Sequence, residues 1–346
     1  MLQATGRWDV TRHSGPRGVA ARILMVAGAA VLLGTGCSSA PDEPERVTDI
    51  RDQAAEYADF GNRYYVRGSY DRALEFFELA LRENTMIDNE PGICRTYNSL
   101  GKTYLAAGDT ATALDSFRTA YEIAARLGDD LLLLQCETHL GEAALRQGDT
   151  DGALDHFSQA LLHADGASSP RDLAILYHNI GTTYSRREEF SAAEEHLVLA
   201  MEINETERQL PELASNHYML ASVYSRQDRL EEALSQAGLA LDYDKQMENS
   251  VGIAADLRAL GLISQRAGNV DDAFVYLKRG LRVAAAIGLV HDARIILEAL
   301  IDLSDESGNP GMADAYREQL DSLTETPTDG TAPVEPPGEP PGESSE

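Results

Sequence analysis

Between residues 54 and 323, small residues recur at fixed intervals of 40 positions. Large apolar residues surround them at three- and four-residue spacing, which predicts helices with one buried stripe each. A turn signal, usually a glycine, falls between two such stripes in every interval. The pattern therefore predicts two helices per unit. The recurring small residues are Gly61, Gly101, Gly141, Gly181, Ala221 and Gly261 in the first helix, and Ala73, Ala113, Ala153, Ala193, Ala233, Ala273 and Ala313 in the second.

A single helix pair of this kind cannot bury its own apolar stripe, so the copies must stack on one another. A Gly or Ala is expected wherever two helix backbones approach too closely for a larger side chain. Seven copies keep the register, although the seventh has Ile301 and Leu320 at small positions. We therefore expect an all-α solenoid of about seven helix-turn-helix repeats, with the degenerate last copy acting as a cap.

The first two copies resemble the tetratricopeptide repeat, whose signature is a large residue, Leu-Gly, Tyr, Gly, Ala, Phe and Ala. Its usual interval is about 34 residues, so the chain is most similar to the longer-repeat variant of the family. The resemblance implies a right-handed superhelical solenoid over residues 54–323, with the first helices lining a concave groove. The matching residues are Tyr57, Phe60, Gly61, Tyr64, Gly68, Ala73, Phe77 and Ala80, then Tyr97, Leu100, Gly101, Tyr104, Gly108, Ala113, Phe117 and Ala120.

The first 36 residues have the order of a secretory signal: an Arg-containing start, the apolar run 23–33, then small residues. That run is shorter than the roughly 20 residues needed to span a bilayer. Gly36-Cys37 resembles the lipobox of bacterial lipoproteins, which implies a lipid on Cys37 and, with Ser38, sorting to the outer membrane. The family's usual leucine is replaced by Gly34. Cleavage after Ala40 is the alternative, and it would remove Cys37.

Two polar segments flank the predicted repeats. Residues 37–53 are predicted to be a polar tether, and residues 324–346 an acidic, proline-rich disordered tail. The net charge of −28 argues against nucleic acid as a partner, because phosphate binding needs a basic surface. The sequence also contains no recognisable phosphate-binding loop, nucleophile elbow or metal-ligand motif. No catalytic residue, cofactor or metal is therefore predicted.

Three histidines and two cysteines could in principle bind a metal ion or form a disulfide. His139, His178 and His217 lie 39 residues apart on successive first helices, and packing is a simpler explanation than metal binding. Cys94 and Cys136 lie near the starts of neighbouring first helices. A disulfide between them is geometrically possible, but it requires the two Cα atoms to lie within a narrow range of distances. Buried free thiols are the default expectation.

Four arginines also recur at the 40-residue interval, near the ends of first helices: Arg146, Arg186, Arg226 and Arg266. They could bind a carboxylate-bearing partner, since guanidinium groups pair with carboxylates in a bidentate manner. Alternatively they stabilise the negative helix end, an effect worth about 0.3–1 kcal/mol. The family resemblance places further cations and hydrogen-bonding groups on the same groove: Arg95, Lys102, Arg258, Asn98, Asn179, Tyr218 and Ser222.

These features favour an exported binding protein. We expect a membrane-tethered protein–protein interaction scaffold of the bacterial cell envelope, lipid-anchored in the outer membrane and facing the periplasm. Its groove would hold a segment of another envelope protein or a peptide with acidic groups. A periplasmic peptide-sensing domain is the first alternative, and an enzyme is a remote second one.

Overall fold

The computed structural model describes residues 47–164 and 169–325, and this part of the chain consists of fourteen helices without strands. Consecutive helices form seven pairs, with the odd-numbered helix first in each. The helices are α1 (Val47–Val66), α2 (Tyr70–Met86), α3 (Glu90–Ala107), α4 (Thr110–Leu127), α5 (Asp130–Arg146), α6 (Thr150–Leu162), α7 (Pro170–Arg186), α8 (Phe190–Glu207), α9 (Leu210–Arg226), α10 (Leu230–Gln246), α11 (Ser250–Arg266), α12 (Val270–Ala286), α13 (Val290–Glu306) and α14 (Pro310–Glu325).

Each helix packs against its neighbours in sequence, and each first helix also contacts the first helix of the next pair. The first helices therefore form one continuous layer, backed by the layer of second helices. The small residues lie where this packing is tightest, as the alanines of the second helices, from Ala73 to Ala313, are fully buried. The predicted all-α solenoid of seven helix-turn-helix repeats is confirmed.

The recurring glycines of the first helices are required by an aromatic ring. A Cβ added to Gly101 would lie 2.4 Å from Cε1 of Phe117, and Gly61 and Gly141 face Phe77 and Phe157 in the same way. Such a contact is far inside van der Waals distance, so the ring occupies the space of the missing methyl group. Further along the chain, a leucine replaces this phenylalanine.

The turns within the pairs contain a residue in the left-handed conformation, which favours glycine. Glycine occupies this place in five of the seven pairs. In the other two, Glu188 (φ 64°) and Asp228 (φ 63°) adopt the same conformation. The fold therefore keeps the turn geometry even where the glycine has been lost.

Both ends of the helical region extend beyond the predicted limits. Helix α1 begins at Val47, so the prediction of a tether over 47–53 is wrong for these residues. Ile50 continues the apolar spacing of Ala54, Tyr57 and Gly61, and this explains the longer helix. Helix α14 ends at Glu325 instead of residue 323. Within the described ranges, no helix has the length and apolar character to cross a membrane.

Several predicted features lie outside the described residues. These are the signal peptide, Cys37, the start of the tether and the tail from residue 326 onwards.

Candidate functional site

A pocket of about 220 Å³ crosses four successive first helices near their C-terminal ends. We call it the N-terminal pocket. Four residues predicted from the sequence converge on it, namely Lys102, Arg146, Asn179 and Arg186. Its complete lining is Tyr65 from α1, Lys102, Leu105 and Ala106 from α3, Glu142, Leu145 and Arg146 from α5, and Asn179 and Arg186 from α7.

A hydrogen-bonded carboxylate forms one wall of the N-terminal pocket. Glu142 accepts a hydrogen bond of 2.7 Å from Nδ2 of Asn179 and lies 3.3 Å from Nδ1 of His139. Burial raises the pKa of Glu142, but the contact with His139, the charge of Lys102 and the bond from Asn179 together lower it overall. Glu142 is therefore an ionised group that holds Asn179 and His139 in place.

An aromatic ring also lines the N-terminal pocket. Lys102 Nζ lies 5.8 Å from the ring centroid of Tyr65, within the range of a cation–π interaction. Burial, and then the negative charge of Glu142, raise the pKa of Tyr65, so its hydroxyl group stays protonated as a hydrogen-bond donor. The pocket thus offers cations, an amide and a phenol to a ligand.

Three of the four recurring arginines bind the neighbouring repeat. Arg186, Arg226 and Arg266 donate through Nη1 to the backbone carbonyls of Leu145, Ser185 and Ser225, at 2.6–2.7 Å. Each carbonyl lies 41 residues earlier, in the last turn of the preceding first helix. Carbonyls at this end lack a full set of helical partners and carry partial negative charge. The three arginines therefore staple successive first helices together.

The turns add a second contact to two of these staples. Arg226 Nη2 lies 2.9 Å from Glu188, and Arg266 Nη2 lies 3.2 Å from Asp228. Glu188 and Asp228 are the residues that replace glycine in the left-handed turn position. The helix-end interpretation thus describes these arginines better than a role in partner binding, except that the helix end belongs to the neighbouring repeat.

Arg146 differs from the other members of its series. All four arginines are exposed, but no hydrogen bond or ion pair joins Arg146 to another residue of the described part of the chain. The carbonyl that the register would offer it belongs to Leu105, which lines the same pocket. Arg146 therefore presents its guanidinium group to the N-terminal pocket.

The remaining predicted groove residues are dispersed. Arg95 is exposed beside a separate cavity between α1 and α3, and Ser222 is half-buried. Arg258 lies 2.9 Å from Asp292 and donates a 3.4 Å bond to the Tyr218 hydroxyl group, so it has partners within the chain.

Asn98 lies in the core, at only 5% exposure, and its side-chain amide contacts the Cys136 sulfur at 3.4 Å. Its predicted place on the groove surface is therefore wrong.

The two cysteines are buried free thiols whose sulfur atoms lie 3.9 Å apart. Cys94 also donates to the carbonyl of Ala120 at 3.3 Å. The contact with Cys94, and then burial, raise the pKa of Cys136, so it is a neutral thiol. The expected pair of buried thiols agrees with the structure, and the two helices are close enough for their sulfurs to touch.

The three histidines have separate surroundings. His139 stacks on Phe117, and His217 lies 2.6 Å from Gln236 through Nδ1. His178 is half-buried, and the removal of its ring from solvent lowers its pKa. Among the described residues, no cluster of His, Cys, Asp and Glu suits a metal ion.

Two residues of the N-terminal pocket, Tyr65 and Glu142, were not predicted from the sequence. Glu142 lies 40 residues after Lys102 and 80 before Ser222, so its register could have identified it. Tyr65 occupies the register of Leu105 and Leu145, which are both buried, so its register indicates a core position. Only the packing of α1 beside α3 places its ring in the pocket.

Sequence comparison assigns the family. The profile of the tetratricopeptide repeat matches residues 54–126, 130–206 and 172–246, which together span more than half of the chain. The chain belongs to the tetratricopeptide repeat family. Among curated proteins, none matches the chain significantly.

Solved structures with the same fold come from several sources. Aspartyl phosphate phosphatase F from Bacillus subtilis is 16% identical, with 85% of this chain and 76% of that chain covered and a TM-score of 0.60. The Rap conjugation gene regulator of plasmid pLS20, solved with the Phr* peptide, is 19% identical, with coverages of 83% and 80% and a TM-score of 0.60. BtubC from P. vanneervenii is 18% identical, with coverages of 67% and 97% and a TM-score of 0.56. These likenesses concern the fold alone.

Proposed function

We propose that this tetratricopeptide repeat protein is a non-catalytic scaffold that binds a segment of a partner protein along its first helices. The N-terminal pocket anchors a carboxylate of that segment. The observation that carries the proposal is the exposed guanidinium group of Arg146, which lies beside Lys102 in a pocket shared by four helices. Its counterparts Arg186, Arg226 and Arg266 are held by the fold, whereas Arg146 remains available.

The chemistry of the pocket suits an acidic side chain or a terminal carboxylate. The forked guanidinium donors of Arg146 match the two carboxylate oxygens, and Lys102 adds a second positive charge. Glu142 is held in place by its bond from Asn179. Its negative charge repels an anion that lies too close, and this restricts the partner's carboxylate to the Arg146 side of the pocket. Because the pocket is formed by four repeats, a ligand there also stabilises their stacking.

A peptide-sensing role is the second candidate. The related fold of the Rap conjugation regulator was solved with a bound peptide, and this supports a short peptide as an alternative ligand. Binding across α1, α3, α5 and α7 would then favour one curvature of the solenoid. Although one structure of similar fold is named a phosphatase, a shared fold at 16% identity does not transfer an activity, and we propose no catalysis here.

We further propose that the protein is exported and lipid-anchored through Cys37 in the bacterial envelope, on the outer membrane facing the periplasm. The support comes from the sequence: the Arg-containing start, the apolar run 23–33 and Gly36-Cys37. The partner would then be another envelope protein.

Photo-crosslinking in the native envelope tests the scaffold. A photoreactive residue replaces Ala106 in the N-terminal pocket, and a control replaces the exposed Val275 on a second helix. We expect the Ala106 position to capture one distinct protein, identified by mass spectrometry, that the Val275 position does not capture. Adding Arg146→Ala should abolish the product, and Arg146→Lys should retain part of it. The same products from both positions, or a product insensitive to Arg146→Ala, would contradict the proposal.

A further inference from the structure

Pairs of residues meet at several of the junctions where a second helix ends and the next first helix begins. The two residues of each pair lie 12 positions apart, and the nature of the pair varies along the chain. Asn84 Nδ2 lies 3.4 Å from Oγ1 of Thr96, and Asn204 Nδ2 lies 3.4 Å from Oδ1 of Asn216. At a later junction the corresponding positions are Ala284 and Ile296, which are both buried in one apolar cluster. The core of this solenoid therefore accepts polar and apolar pairs at the same place.

Between repeats 5 and 6, this place holds two carboxyl groups, Asp244 from α10 and Asp256 from α11. Their exposures are only 5% and 1%. Asp244 accepts a 2.9 Å bond from Nδ2 of Asn249, whereas the buried Oδ2 of Asp256 receives no hydrogen bond from a donor in the described residues. Neither carboxyl group forms an ion pair with a described cation. Gly252 lies against Asp244, because an added Cβ would meet its Oδ2 at 1.8 Å.

The nearby cations do not neutralise this pair. Lys245 follows Asp244 in α10 but is bound to Asp242 at 3.0 Å. Arg258 on α11 is bound to Asp292 and lies by the hydroxyl group of Tyr218 from α9. Two adjacent buried carboxylates without a counter-charge are strongly unfavourable. Burial, and then the charge and hydrogen bond of Asp244, raise the pKa of Asp256 to about 8. The pair thus keeps one proton at neutral pH.

The pair lines a cavity of about 270 Å³, which we call the aspartate pocket. One wall comes from the first helix α9, through Pro211, Ala214, Ser215 and Tyr218, and another from Ala255 of α11. These mostly apolar walls can cover the methylene stem of a long basic side chain while its charged end reaches the carboxyl groups. The cavity therefore combines two carboxyl groups that lack a positively charged partner with walls that fit an alkyl chain.

We propose that the aspartate pocket binds a primary ammonium or guanidinium group of the partner segment, which replaces the shared proton as the counter-charge of Asp244 and Asp256. This inference rests on the proposed scaffold function and specifies its partner further. The segment carries an acidic group for the N-terminal pocket and a basic group for the aspartate pocket. Opposite charges at the two places fix the direction in which the segment lies on the repeats.

The test uses a minimal probe instead of the unknown partner. Nα-acetyl-lysine methylamide supplies the ammonium group, and Nα-acetyl-norleucine methylamide supplies the same stem without charge. Calorimetry at pH 7 in two buffers of different ionisation enthalpy measures both affinity and proton release. We expect saturable binding of the lysine probe with release approaching one proton, and binding of the norleucine probe weaker by about tenfold or more.

A matched control exists within the chain itself. The double variant Asp244→Asn/Asp256→Asn reproduces the Asn204 and Asn216 pair of the preceding junction, so the fold should tolerate it. It should lose the preference for lysine over norleucine. Equal affinities for the two probes in the parent protein, or an unchanged preference in the double variant, would overturn the proposal. Lysine binding without proton release would overturn the replacement of the proton.

Carbon-13 NMR of the Asp carboxyl groups tests the proposal on the parent protein, so this test does not depend on whether the double variant folds. Adding the lysine probe should move the Asp256 signal of the parent protein to the ionised position at pH 7, and norleucine should not. A signal that stays in place overturns the proposal. Arg146→Ala should leave both results unchanged, because it alters only the N-terminal pocket. The experiments can therefore distinguish a failure of carboxylate binding in the N-terminal pocket from a failure of cation binding in the aspartate pocket.

Discussion

Replacing Arg226 with alanine tests the idea that the recurring arginines staple neighbouring repeats. The change removes the 2.6 Å bond from Nη1 to the carbonyl of Ser185 and the 2.9 Å contact with Glu188. It also removes the guanidinium group from above the Phe190 ring, where it lies 5.0 Å from the centroid. All three contacts join α9 to the preceding repeat.

The expected magnitude follows from the exposure of these contacts. A hydrogen bond from a charged donor contributes about 1.5–3 kcal/mol when buried, but the Arg226 side chain is 37% exposed, so the lower end applies. The Glu188 carboxylate is 71% exposed, and such an ion pair adds at most about 1 kcal/mol. The Ser185 carbonyl keeps its bond from the amide of Glu188. We expect Arg226→Ala to lower the free energy of unfolding by about 1–2 kcal/mol.

Urea unfolding followed by the helical circular dichroism signal measures this loss. Arg146→Ala is the matched control, because it has the same register and helix position but no such bond. It should change the free energy of unfolding by less than about 0.5 kcal/mol. Arg226→Lys should recover only part of the loss, since an ammonium group cannot reproduce the fork. Equal losses of unfolding free energy for Arg146→Ala and Arg226→Ala, or no measurable loss for Arg226→Ala, would refute the idea that Arg226 stabilises the contact between neighbouring repeats.

Three further predictions concern the core, the aspartate pair and the anchor. Gly101→Ala should destabilise the fold by about 1–3 kcal/mol because its methyl group meets the Phe117 ring; Gly238→Ala, with open space around it, should cause no loss in the same urea assay. The pKa of Asp256 is raised in the folded state, so the folded protein binds the extra proton and stability should fall as pH rises from about 4 to about 8. Asp256→Asn should flatten that part of the stability curve, and an equally steep curve in the variant would exclude Asp256 as its cause. Labelled palmitate should enter the parent protein but not Cys37→Ala; labelling that persists in the variant would place the lipid elsewhere.

The sequence alone was sufficient to predict the fold of this protein. Its contacts are local and repeated, because each helix packs only on its near neighbours. The small residue at position 101 and the large one at 117 recur together at the 40-residue interval in five of the seven copies, so one copy explains most of the others. Turn residues showed the same regularity, even where Glu188 or Asp228 stands in place of glycine. The start of α1 was missed, although Ile50 continued the apolar spacing.

Only the tertiary structure decided what the polar residues of these helices do. Arg146 and Arg226 are indistinguishable in sequence register, yet one faces a pocket and the other binds a carbonyl 41 residues away. Asn98 was predicted to face the groove but lies in the core, since helix rotation determines burial. No sequence pattern distinguishes Asp244 and Asp256, because a carboxyl group becomes unusual only once it is buried beside another without a counter-charge. Periodicity specifies which helices stack, whereas burial and the neighbours across the stack determine the chemistry of each side chain.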